Sequence, residues 1–326
     1  MLTILIFHLI GGSLKKNNSI LITGGAGFLG SHIVDSFVKK NLKVTVIDNL
    51  STTTSSAFVN PKAELIEMDI NDKNLKKIIQ SLNPKIILHA ASQISVSISS
   101  RFPMEDAKNN IIGSLNLLES ITDFQKCYFI FISSGGAIYG ENLESPVKET
   151  QLCCPKSPYG LSKLTVENYM KYFSESRNLN HLIVRPANIF GPRQNPNGES
   201  GVVSIFANSM LKNQKVSIFG DGHDFRDYVY VKDVVNFVDQ AIEKRVSGVF
   251  NVGTGLSVTT NKVFSDLAKI LDYKKNPDYL PNRPGDIKGI RLDSTKALKE
   301  INWNPKTNFT QGLEETITFF KSDTLN

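Results

Sequence analysis

From Ser19 onward, short runs of β-branched and other apolar residues alternate with longer segments in which apolar positions recur every three to four residues. The first pattern belongs to strands buried on both faces, the second to helices with one face on a core. Strands are predicted at Ile20–Thr23, Lys43–Ile47, Glu64–Glu67, Ile86–His89, Tyr128–Ser133 and Leu182–Arg185, and helices at Ser31–Lys40, Lys73–Leu82, Glu105–Thr122 and Tyr159–Arg177. The alternation predicts an α/β fold: a doubly wound parallel sheet of Rossmann type, with helices on both faces and a ligand outside the carboxyl ends of the strands. After Pro186 the texture changes, because Gly191-Pro192-Arg193-Gln194-Asn195-Pro196-Asn197-Gly198 is a loop and the later elements are shorter. We therefore expect a first domain at 19–187, with a later contribution from about 228–258, and a smaller C-terminal α/β substrate domain at 188–326.

Residues 1–18 stand outside this alternation. Eight of the first ten are apolar, and Gly11-Gly12-Ser13-Leu14-Lys15-Lys16 follows. The run is too short to span a bilayer and has neither the basic start nor the small-residue cleavage site of a signal peptide, so an N-terminal extension is expected, with no membrane partner.

Composition narrows the classes. The chain has 326 residues, 40% hydrophobic and 21% charged, with 22 Gly and 13 Pro, which excludes disordered, collagenous and coiled-coil chains. A net charge of +6 comes from scattered pairs such as Lys39-Lys40 and Lys76-Lys77, the pattern of solvated helix faces, so no nucleic acid partner is expected. Three cysteines, 127, 153 and 154, make neither a disulfide framework nor a zinc site, and no two of the five histidines lie three or four apart. No metal is expected, and the cysteine usage fits a reducing compartment, the cytoplasm.

The candidate chemistry begins after the first strand. Gly24-Gly25-Ala26-Gly27-Phe28-Leu29-Gly30 joins that strand to a helix, so Gly24, Gly27 and Gly30 allow a tight turn, a close approach of backbone to pyrophosphate and close helix packing. The second strand leads into Asp48, eighteen residues past Gly30. A carboxylate there accepts hydrogen bonds from both adenosine ribose hydroxyls and repels a 2′-phosphate, and Asn49-Leu50-Ser51 offers no cation to hold one. NAD is therefore expected over NADP. Asp69, after the third strand, is a candidate for the adenine amine, with Ile70 beside the ring.

A second centre lies further on. Tyr159 and Lys163, four apart at the start of a helix, share one face. An ammonium near a phenol favours the phenolate, which suits Tyr159 to general-base work. Ser133-Ser134-Gly135-Gly136 closes the fifth strand and brings a hydroxyl to the same end of the sheet.

With these motifs together, the sequence resembles the extended short-chain dehydrogenase/reductase family, and within it the UDP-glucose 4-epimerases, from Ser19 to Lys321. The matching stretches include Thr23 to His32, Asp48 to Ser51, His89-Ala90-Ala91-Ser92-Gln93, Asn109 to Ser114, Ser133 to Gly140, Ser157 to Lys163, Arg226-Asp227-Tyr228 and Arg283-Pro284-Gly285-Asp286. The resemblance implies reversible C4 epimerization of a UDP-hexose through a transient 4-keto sugar, with tightly bound NAD and a homodimeric assembly. It implies that Gly24, Gly27, Phe28, Leu29, Gly30, Asp48, Asn49, Leu50, Ser51, Asp69, Ile70, Ala90, Ala91, Ser92, Asn110, Tyr159, Lys163 and Pro186 serve the dinucleotide. Ser134, Tyr159 and Lys163 are then catalytic. Asn188 and Val202 meet the nucleotide sugar, Ser217 and Phe219 the uracil, Arg226 and Arg283 the diphosphate, and Asp286 the uridine ribose.

Two departures from the family pattern matter. The hydroxyl falls on Ser134 or, counted back from Tyr139, on Gly135, and only Ser134 can do the chemistry. Ile290 stands where family members that reject N-acetylated sugars carry a bulky residue and permissive ones a small one. Ile is intermediate, so the N-acetyl forms stay open as substrates, with UDP-glucose and UDP-galactose expected to interconvert faster. A 4,6-dehydratase would need an acid pair where Gly135 and Gly136 stand. UDP-glucuronate epimerases or decarboxylases, and a non-catalytic NAD-sensing protein, are the other readings.

Overall fold

The computed structural model describes residues 19–51, 58–142, 146–196, 201–283 and 287–323. The N-terminal extension expected at 1–18 and Asp286 lie outside them. Numbered along the chain, β1 (Ser19–Thr23), β2 (Lys43–Asp48), β3 (Glu64–Glu67), β4 (Ile86–His89), β5 (Tyr128–Ile132), β6 (Asn180–Pro186) and β11 (Gly248–Val252) form one sheet. Its order is β11-β6-β5-β4-β1-β2-β3, with every neighbouring pair parallel. The doubly wound parallel sheet expected from the alternation is present. Because β1 is flanked by β2 on one side and β4 on the other, the winding reverses there, and a crevice opens beyond the carboxyl ends of β1 and β4.

Strand alternation divides the core. Ile20, Ile22, Ile86, Leu88, Ile130 and Val184 face one side, with Ile33 and Phe37 of α1 (Phe28–Lys39) and Val234 and Val238 of α9 (Val231–Lys244). Leu21, Ile87, Phe129, Phe131 and Ile183 face the other, with residues of α2 (Leu75–Leu82), α5 (Gly113–Glu119) and α7 (Pro158–Arg177). Burial on both sides explains why these strands are apolar throughout rather than alternating. The edge strand β3 is largely exposed and correspondingly more polar.

The C-terminal part builds three small sheets. β7 (Asn188–Phe190) pairs with β10 (Tyr228–Tyr230), β8 (Ser217–Phe219) with β13 (Asp278–Leu280), and β9 (Phe225–Arg226) lies between β12 (Val258–Thr259) and β14 (Gly289–Ile290). Helices α8 (Val202–Leu211), α10 (Thr260–Leu271), α11 (Thr295–Ile301) and α12 (Phe309–Asp323) complete it.

The helix predicted over Glu105–Thr122 is present but not α-helical throughout. It runs as α4 (Pro103–Asp106), a π turn over Ala107–Ile112, and α5. The π turn is where Asn110 bonds both the N–H and the C=O of Gln93 in the loop after β4, at 2.8 and 2.9 Å. Apolar periodicity carries no trace of such a side-chain hook. Two short helices, α3 (Val96–Arg101) and α6 (Gly135–Ile138), lie in segments without helical periodicity. α3 is started by Ser95, whose hydroxyl accepts from the Ile98 N–H at 3.0 Å.

Candidate active site

The glycine loop closes the crevice from below. Gly24 has φ +73°, and a Cβ there would fall 2.5 Å from the Ala91 nitrogen, so the turn and its contact with the strand-4 loop both require glycine. A Cβ on Gly30 would fall 2.0 Å from the Gly24 carbonyl oxygen, which seats α1 against the turn. Above Gly27, by contrast, a Cβ would meet only the Gly24 oxygen, at 3.3 Å. The loop is thus packed beneath and open above, the shape that a pyrophosphate crossing a helix N-terminus needs.

Asp48 is held by two backbone donors. One carboxylate oxygen accepts from the Ala26 N–H and the other from the Leu50 N–H, each at 2.9 Å. Each oxygen keeps a lone pair for a hydroxyl donor. Leu50 itself takes φ +57°, a turn that the bond to Asp48 stabilises. Asn49 donates to Asp69 at 2.7 Å, and Asp69 also accepts from the Asn71 N–H at 2.7 Å. These bonds hold the Asp69 carboxyl below the usual carboxylate range, against the opposing effect of burial. Ser51 is exposed beside Asn49, and Ile70 is buried against Gly113.

Asn110, expected at the dinucleotide, is bonded to the Ser92–Gln93 loop. It is 3% exposed, both amide hydrogens go to Gln93 and Asp106, and its oxygen accepts from the Gln93 N–H and lies 2.9 Å from the Ser92 hydroxyl. It shapes the Ser92–Gln93 loop. Behind that loop, His89 is fully buried between Thr23 Oγ1 at 2.7 Å and Ser114 Oγ at 2.8 Å. Ser114 donates to the Asn110 carbonyl, so it must accept from His89 Nε2–H, and Nδ1 then accepts from Thr23. Burial and the nearby Lys163 push the His89 pKa down to about 3. His89 is therefore a fixed neutral spacer, not an acid or base.

Tyr159 and Lys163 stand together at the start of α7, with Ser134 facing them from the end of β5. Ser157 caps the helix by accepting from the Gly160 N–H at 3.2 Å, and Pro158 occupies the first turn. The Tyr159 N–H donates to the buried Ser99 hydroxyl at 3.1 Å. Lys163 is 3% exposed; its Nζ donates to the Ile132 carbonyl at 3.0 Å and sits 5.7 Å from the Tyr159 ring centroid. Burial lowers the Lys163 pKa to about 7, opposed by the carboxylates of Asp106 and Glu167. Burial likewise pushes Tyr159 up to about 12, and the hydrogen bond it shares with Ser134 draws it back. That bond involves the one residue of the Ser134/Gly135 pair that has a hydroxyl. A Tyr159 phenolate needs positive charge beside it, and the Lys163 ammonium and the N-terminal end of α7 both point that way.

Under this pair runs a buried polar network that sequence patterning missed. Glu167 holds Arg185 in a fork at 2.5 Å and 3.1 Å and accepts from Ser133 Oγ at 2.5 Å. Arg185 donates to the Tyr139 hydroxyl at 2.7 Å, which donates to Asn251 at 2.8 Å. The one available signal was the spacing of Glu167, four residues beyond Lys163 on the same helix face.

Of the candidate sugar-nucleotide residues, Asn188, Ser217, Phe219, Arg226 and Ile290 lie on the small sheets. Asn188 opens β7, and its Oδ1 would lie 3.0 Å from a Cβ on Gly136. Pro186 closes β6, and Val202 begins α8. Phe219 and Ser217 are on β8, and the Arg283 guanidinium stacks 4.4 Å from the Phe219 ring centroid. Arg226, on β9, is in register with Ile290. Ile290 itself is 1% exposed and belongs to the core with Leu292. It therefore presents no side-chain surface to a sugar, and can act on one only through the placement of its strand partner Arg226.

Residues 20–253 match the family model of the NAD dependent epimerase/dehydratase family. The chain belongs to that family. It is 36% identical to UDP-glucose 4-epimerase of Mycolicibacterium smegmatis over 307 residues, 93% of this chain and 98% of that one. The crystal structure of UDP-glucose 4-epimerase from Thermotoga maritima with UDP-glucose superposes with a TM-score of 0.89 at 44% identity, covering 94% of this chain and 100% of that one. The Thermus thermophilus UDP-glucose 4-epimerase complex with NAD gives 0.88 at 38% identity, covering 93% and 99%. As a member of the family, the protein is an epimerase with NAD as its cofactor, and the glycine cradle and braced Asp48 fit that group.

Proposed function

We propose that the protein interconverts the C4 epimers of a UDP-hexose, UDP-glucose and UDP-galactose. The observation that carries this is the convergence of Ser134, Tyr159 and Lys163 on one end of the sheet, beside the cradle built by Gly24 and Gly30. NAD, when bound, accepts and then returns the hydride of the sugar C4. Tyr159, as phenolate, takes the proton of the 4-hydroxyl; Ser134 passes it along; the Lys163 ammonium stabilises the phenolate. The 4-keto sugar then turns within the site while Arg226 and Arg283 hold its diphosphate and Asn188, Val202, Ser217, Phe219 and Asp286 hold the rest of the nucleotide. Binding energy placed on the unchanging half leaves the reacting half free to rotate.

Elimination chemistry is disfavoured sterically as well as chemically. A Cβ on Gly135 would fall 2.5 Å from Leu292 Cδ1 and 3.0 Å from the Arg185 carbonyl oxygen, so an acid has no room there. The test is incubation of the purified protein with UDP-galactose, UDP-N-acetylglucosamine and UDP-glucuronate, with products read by NMR. Conversion of UDP-galactose to UDP-glucose is expected, and turnover of UDP-glucuronate alone would overturn the assignment.

Asp48→Ala is expected to weaken NAD binding by about 1–3 kcal/mol, the scale of hydrogen bonds to a charged group. Calorimetric titration of the stripped protein with NAD measures it, and unchanged affinity would remove Asp48 from the ribose site.

The working unit we propose is a homodimer in the cytoplasm, its three cysteines free. Leu161, Tyr169 and Tyr172 share one face of α7 and are 56%, 40% and 58% exposed, beside Met104 and Ile112 on the neighbouring helices. Two copies laid together would bury this apolar face on itself, as a twofold interface allows. Light scattering should give about twice the chain mass, and a monomer at micromolar concentration would refute it.

A further inference from the structure

Asp106 ends α4 and is 1% exposed, next to the proposed catalytic pair but in none of the roles given so far. One of its oxygens accepts from Gln93 Nε2 at 3.0 Å and Asn110 Nδ2 at 2.9 Å, and the other accepts from Ser162 Oγ at 2.6 Å. All three partners donate to it. All three are also neutral, so they stabilise the charge without cancelling it. The other carboxylate near Lys163, Glu167, is instead forked to Arg185 at 2.5 Å.

Ser162 lies between Tyr159 and Lys163 in the first turns of α7. We propose that Asp106 is a positioning residue for the epimerization: through Ser162 it fixes the turn that carries Tyr159 and Lys163, and its charge acts on both. This rests on the catalytic reading of those two residues. The groups facing Lys163 are Asp106, Glu167, the neutral His89 and the Tyr159 ring; those acting on Tyr159 are Ser134, Asp106 and Lys163. A negative charge beside an ammonium favours its charged form and beside a phenol disfavours ionisation. Asp106 therefore keeps Lys163 protonated and delays the Tyr159 phenolate. Its removal lowers both pKa values, whereas loss of a merely structural contact would move neither.

The experiment is the pH dependence of kcat on the full-length NAD-loaded protein with UDP-galactose, for wild type, Asp106→Asn, Ser162→Ala and Tyr159→Phe. The two limbs of the profile together report the ionisations of Lys163 and Tyr159. In Asp106→Asn both limbs should move to lower pH by about one unit, with KM within about twofold of wild type. Ser162→Ala keeps the charge and cuts the tether, so its kcat should fall about three- to tenfold with the limbs in place. Limbs at their wild-type positions in folded Asp106→Asn would overturn the proposal, as would wild-type kcat in Ser162→Ala. Should Asp106→Asn fail to fold, the Ser162→Ala kcat decides. Wild-type turnover by Tyr159→Phe would refute the catalytic reading itself; an inactive Tyr159→Phe with unmoved Asp106→Asn limbs would refute this inference alone.

Discussion

Tyr159→Phe is expected to lower kcat by about 100-fold or more while leaving nucleotide-sugar binding near the wild-type value, because it removes one oxygen that acts only when the proton moves. The ring remains to pack beside Lys163, whose Nζ lies 5.7 Å from the ring centroid, so the helix start and its cap are retained. Ser134→Ala should cost less, since a water can take the place of a relaying hydroxyl. Steady-state rates with UDP-galactose, together with product binding by calorimetry, separate the two effects. A Tyr159→Phe protein that turns over like wild type would end the general-base assignment.

The largest loss of stability is expected from Glu167→Ala. Glu167 and Arg185 side chains are 5% and 7% exposed, and the pair joins β6 to α7 one helical turn beyond Lys163. Truncating the carboxylate leaves a guanidinium in the core with no counter-charge from that helix, and strands the Ser133 hydroxyl. Breaking a buried pair in this way costs about 3–5 kcal/mol. Urea denaturation should show a midpoint well below wild type with an unchanged slope. Pairing Glu167→Leu with Arg185→Met should recover part of the loss, because no charge is then buried. An unchanged midpoint in Glu167→Ala would mean that Tyr139 and the Glu149 carbonyl, which accepts from Arg185 Nη1 at 3.4 Å, hold Arg185 unaided.

The fold was legible because its strands are buried on both faces. β3 and β4 occupy the predicted residues, and β1, β2, β5 and β6 differ by two residues or fewer at either end. The glycine loop was legible for the same reason that it works: Gly24 and Gly30 leave no space for a side chain. What patterning could not reveal is polar and long-range. The π turn exists where Asn110 reaches back to Gln93, and Asp106, Ser162, Glu167 and Arg185 are charged or hydroxyl residues that hydropathy assigns to the surface. Among the partners that offset their burial, Ser162 lies 56 positions from Asp106 and Arg185 18 from Glu167, which no local window contains. Ile290 shows the converse, since its strand partnership, not its bulk, decides what it can touch.

The place of β11 in the sheet bears on how the chain matures. β6 receives its outer neighbour only from residues 248–252, joined by parallel pairing of Gly248 with Leu182 through Val252 with Pro186. During synthesis the Leu182–Val184 edge thus emerges more than sixty residues before its partner, with its backbone donors and acceptors unpaired. Nascent chains halted between these points carry an apolar strand edge of the kind that recruits other chains, so truncations there should precipitate where the whole protein does not.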